Sequence, residues 1–169
     1  MKFKQVIVLI TLVIGSVGFS QNVQTDAAIY SAQQLIENVL INSNCITNVL
    51  FTNVIGGDFS GTDQSYGYFD ANGSSFPFSS GIVLSTGKLQ HVPGPNNSLS
   101  DDDAANWIGD DDLEQILNET NTHNATIIEF EFTAVADQIS FRYIFASEEY
   151  QENNSNTCQY SDLFGFLIR

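Results

Sequence analysis

The chain has 169 residues, the length of one domain, with 12% aromatic and 15% charged residues. That balance supports a packed core and excludes a disordered chain. Twenty acidic against 5 basic residues give a formal net charge of −15, which excludes nucleic acid and an anionic membrane surface as partners, because both need clustered Lys and Arg, and favours cations.

In chain order, "MKFK" is a basic start, "QVIVLITLVIGSVGF" an apolar run and "GFSQ" a stretch of small residues. This is the pattern of a secretory signal peptide over residues 1–20, cut between Ser20 and Gln21. The fully apolar part falls short of the roughly 20 residues that a spanning helix needs, so the mature chain is expected outside the membrane, secreted or at the cell surface. Lys2 and Lys4 leave with the signal, and the mature chain is more acidic still. Export places Cys45 and Cys158 in an oxidising compartment, where an even count predicts a disulfide between them.

Residues 21–30 form a lead-in, and the domain body follows over 31–169. Ser31 and Gln34 make a capping box ahead of Leu35, Ile36, Val39 and Leu40, which share one helical face. "CITNVLFTNVI" is rich in β-branched residues and predicts a strand. "SYGYFDANGSS" is a strand entering an Asn-Gly turn, and "SGIVLSTGKL" is a strand between glycines. His91 to about Trp107 is a loop with an acidic run, and "DDDLEQIL" a short helix whose acidic start suits the helix dipole. "ATIIEFEFTA" alternates, with Ile128, Phe130 and Phe132 on one face and Ile127, Glu129 and Glu131 on the other. "DQISFRYIFAS" alternates too, with Ile139, Phe141, Tyr143 and Phe145 on one face. A turn at Ala136-Asp137 would join the two as an antiparallel hairpin, and "DLFGFLIR" would be the last strand. The pattern predicts a mainly β fold, an antiparallel β-sandwich or jelly roll with one or two short helices.

The chemical motifs are sparse. "STGK", Ser85 to Lys88, has the Ser-x-x-Lys spacing of acylating serine enzymes, but it follows a strand, Gly87 interrupts it, and the partner motifs are missing. Glu148 and Glu149 have the chemistry of a glycosidase pair, yet adjacent residues leaving a strand point to opposite sides and do not flank one bond. His91 and His123 have no metal-ligand spacing. Asp112, Glu148, Glu149 and Asp162 are strand-end or loop oxygens of the kind calcium takes. They read either as a calcium site or as a structural corner, without a catalytic residue. Asn-x-Ser/Thr sequons at Asn72, Asn96, Asn118, Asn124 and Asn153 read as composition in so Asn-rich a chain.

"GIVLSTGKL", "GPNNS", "DDDLEQIL", "ATIIEFEFTAVADQISFRYIFASEEYQE" and "YSDLFGF" follow one another in an order that resembles the choice-of-anchor L domain of exported bacterial proteins. The resemblance runs from about Ser31 to Arg169, and "SFRYIFASEEY…SDLFGF" is its most specific part. It implies a β-sandwich at the cell surface, often in gliding, type IX-secreting Bacteroidota, and no established catalytic activity. Family members continue past "DLFGF", so it also implies a chain truncated within its domain at Arg169, with the anchor or sorting signal downstream. The expected role is a non-enzymatic module for adhesion or surface interaction with an extracellular protein or glycan, with calcium as the one candidate cofactor. The alternatives are a carbohydrate-binding or carbohydrate-active domain using Glu148 or Glu149, and a structural spacer.

Overall fold

The computed structural model describes residues 23–41, 44, 46–94, 102–148 and 161–169. The expected signal peptide, Cys45, Cys158 and Glu149 lie outside the described residues. The fold is mainly antiparallel β, in two sheets, with short helical segments.

One sheet has the order β1-β3-β4, with β1 at Gln24–Asp26, β3 at Tyr66–Asp70 and β4 at Ser80–Leu84. Gln24 lies opposite Asp70, and Asp70 in turn opposite Ser80. The Asn-Gly turn between β3 and β4 is present, and both Asn72 (φ 49°) and Gly73 (φ 70°) are left-handed. The other sheet pairs β2 (Ile46–Ile55) with β5 (Ile127–Ala134). Its register slips between Thr47 and Leu50, where Asn48 adopts φ 51°, a bulge that bends the long strand.

The capping box is formed as the spacing requires. The Ser31 side chain accepts from Gln34 N–H at 3.2 Å, and Gln34 Oε1 accepts from Ser31 N–H at 2.9 Å. It starts α1 (Ala32–Gln34), which continues as a π-type turn over Leu35–Leu40. Ala32, Leu35 and Ile36 are buried from this segment, which packs on β3, β4 and β2. Leu89, Phe69, Ala71, Trp107 and Ala125 complete the buried apolar set. Full burial of a Leu or Ile side chain stabilises by about 1.5–3 kcal/mol, so Leu35, Ile36 and Leu89 anchor the core. The second helix, α2 (Asp111–Leu117), is capped by Asp110, whose Oδ1 accepts from Leu113 N–H at 2.7 Å. Asp111, Asp112 and Glu114 fill its first turn, so the acidic start serves the helix dipole as expected.

Two expectations are corrected. Strand β5 has the predicted alternation, with Ile128, Phe130 and Phe132 half-buried and Glu129 and Glu131 exposed, but its ladder partner is β2 and not residues 138–145. Residues 138–147 and 161–169 belong to neither sheet. They lie along each other through their rings instead. Phe141 stacks on Phe166 at 4.1 Å and Tyr143 on Phe164 at 5.0 Å. The spacing of two residues marks both segments as extended, and the falling partner numbers mark them as antiparallel. Alternation fixes a strand's faces but does not choose its partner, and β2 offers β5 a ten-residue mate.

Candidate functional site

The segments that carry the sequence motifs converge. The Ser85–Lys88 turn meets Asp102 from the acidic run on one side and Asp162 on the other. Asp162 Oδ1 accepts from Thr86 Oγ1 at 3.1 Å, and Oδ2 accepts from Ser147 Oγ at 3.2 Å. This carboxylate ties the turn after β4, the end of the 138–147 segment and the start of the 161–169 segment. Asp112 forms an ion pair with Arg169, and Leu113 packs beside Gly165, so α2 lies against the 161–169 segment. Glu148 is half-buried, and Glu149 lies outside the described residues. The expected site residues are thus held by different partners: Asp162 by hydroxyls and Asp112 by a guanidinium. Among the described residues, no three His, Cys, Asp or Glu side chains gather as a metal site would require. Arg142, the other cation of this region, lies over the Phe78 ring at 4.4 Å.

Asp102 is the carboxylate that the sequence did not single out. Its side chain is only 9% exposed. Oδ2 accepts from Lys88 N–H at 3.1 Å and meets His91 Nδ1 at 2.7 Å, while Oδ1 faces Lys88 Nζ at 3.2 Å. Burial alone would raise this carboxyl. The Lys88 backbone N–H, then His91 and the Lys88 ammonium, outweigh burial and hold it below the ordinary value. The sequence offers one signal: a chain with few basic residues sets Lys88 and His91 three residues apart, a pair of donors that one carboxylate can bridge. Asp102 is covered and Asp103 is exposed, a difference that sequence does not show.

The same geometry settles "STGK". Ser85 Oγ accepts from Gly87 N–H at 3.0 Å, a local turn bond, and Lys88 reaches Asp102 and not Ser85. Lys88 also lies over the Phe59 ring at 5.3 Å, and Phe59 meets Trp107 edge-on at 5.6 Å.

Beneath this turn is a buried polar knot. Ser65 is fully buried. Its Oγ accepts from Gly57 N–H at 2.9 Å and meets Thr126 Oγ1 at 2.7 Å. Thr126 Oγ1 donates its single proton to the Ser85 carbonyl at 2.6 Å, which leaves Ser65 to donate to Thr126. Gly56 makes room for this knot, because a Cβ there would stand 2.5 Å from Ser65 Oγ.

The fold is a mainly β body in which Asp102 and Asp162 join segments distant in sequence. The choice-of-anchor L domain model matches residues 22–169, and the chain belongs to that family. Choice-of-anchor domains are surface-associated modules of exported proteins and are generally non-catalytic. No curated protein and no solved structure matches the chain. Among the described residues, no helix is long and apolar enough to cross a membrane.

Proposed function

We propose that this domain serves its exported protein as a non-catalytic module for adhesion or surface interaction, and that its acidic residues act as structural ties. The observation that carries the reading is Asp162, whose two carboxylate oxygens are engaged by Thr86 and Ser147 from two other parts of the chain. Asp102 repeats the device with Lys88 and His91. Carboxylates held this way link segments, whereas glycoside hydrolysis requires a pair of carboxyls set across the scissile bond. The protein partners of Asp112 and Asp162 favour a tie over a calcium ion, which would take six to eight oxygens. The experiment is a hydrolysis screen of glycans with the wild-type chain, Glu148→Gln and Glu149→Gln. The expected result is no turnover by any of the three. Hydrolysis that either substitution abolishes would replace this reading with the carbohydrate-active one.

A further inference from the structure

Beside Trp107 lies an open depression of about 540 Å³, walled by residues 103–104, 106–109 and 121–124. Asp103, Asn106, Asn121, Thr122 and His123 line it, with no Lys or Arg among the lining residues. Among the described residues, a phosphate, sulfate or carboxylate ligand would meet no Lys or Arg in the lining, and the acidic chain repels it. Carboxamides both donate and accept hydrogen bonds, which is the demand that a sugar hydroxyl makes of its partner. Ile108, 68% exposed at the rim, adds an apolar edge for the C–H face of a ring.

The walls are fixed in advance. Trp107 Nε1–H donates to the Ala125 carbonyl at 2.8 Å, and Ala125 N–H to the Ile108 carbonyl at 3.0 Å. Asp110 N–H donates to Thr122 Oγ1 at 2.9 Å, and Asn124 Nδ2 to the Asp102 carbonyl at 3.1 Å. Asn106, Asn121 and Asn124 all hold left-handed backbone, with φ of 63°, 58° and 56°. These bonds fix the frame of the depression, and on it the exposed Asn121 carboxamide donates to Thr120 Oγ1 at 3.3 Å.

We infer that this depression binds a neutral saccharide through the side chains of Asn106 and Asn121, with Trp107 in its wall. The inference deepens the reading of the domain as a non-catalytic surface module and rests on it. Trp107 is the only tryptophan in the chain, so its emission reports on this site alone. The test titrates the full chain with neutral hexoses, N-acetylhexosamines and their disaccharides, following Trp107 emission, with a check for probe hydrolysis. The expected result is a saturable change with at least one probe in the millimolar range, weakened about tenfold or more by Asn121→Gly and by Asn106→Gly. Glycine keeps the left-handed backbone at both positions, and an unchanged melting temperature shows that each variant is folded. The inference is overturned if no neutral saccharide changes the emission, if both variants bind as the wild type does, or if only sulfated or acidic sugars bind. Saccharide binding with hydrolysis would uphold the site and overturn the non-catalytic reading. Failure to bind would leave that reading standing.

Discussion

Replacing Ser65 with Ala removes one hydroxyl from a fully buried position and leaves the backbone in place. Two groups lose their partner: Gly57 N–H, which donates to Ser65 Oγ at 2.9 Å, and Thr126 Oγ1, which meets it at 2.7 Å. A buried donor left without an acceptor costs about 1–3 kcal/mol. A total near 2 kcal/mol corresponds to a fall of about 4–8 °C in melting temperature for a domain of this size. Thermal unfolding followed by circular dichroism measures it, and a Ser65→Ala, Thr126→Val double variant separates the knot from its parts. The double variant should cost less than the two single changes summed, by about 0.5–3 kcal/mol, because each single change already breaks the shared bond. A fall below 1 °C for Ser65→Ala, against the roughly 2–4 °C expected per kcal/mol, or strict additivity in the cycle, would refute the knot as a cooperative unit.

Asp102 gives a pH dependence. Its carboxyl is held below the ordinary value of 3.8, so the fold favours the ionised form. The stability it contributes is fully present above that ordinary value and is lost as pH falls through the lowered one. Acid melts should show Asp102→Asn less stable than wild type at neutral pH, with the gap closing as pH falls through this window; a gap independent of pH would refute the clasp. For the expected Cys45–Cys158 bridge, thiol labelling of the unfolded, unreduced chain should find no free thiol, and two labelled cysteines would remove it.

What the sequence disclosed was local. Ser31 and Gln34 announced the helix start because a capping box is written within four residues. Asn72-Gly73 announced the β3–β4 turn for the same reason. The pairing of β2 with β5 joins residues about eighty positions apart, and alternation in β5 is equally consistent with a neighbouring hairpin. Asn48, Asn72, Asn106, Asn118, Asn121 and Asn124 all occupy left-handed backbone, where Asn is the side chain best tolerated after the freedom of Gly, a use of Asn that the reading of the sequons did not address. Sequence left Asp162 open between a calcium site and a structural corner, and it did not name Thr86 and Ser147 as partners, since hydroxyls are too common to point anywhere. Asp102 was hidden among look-alike neighbours.

The most direct test of the carboxylate tie is the melting temperature of wild type and Asp162→Ala, each measured with calcium and with a chelator. Loss of the two bonds from Thr86 and Ser147, at a half-buried site, should cost about 1–1.5 kcal/mol, or roughly 2–6 °C. The same fall is expected in both solutions, with no calcium response in the wild type. A wild-type melting temperature that calcium raises, with the rise lost in Asp162→Ala, would contradict it and make Asp162 a metal ligand.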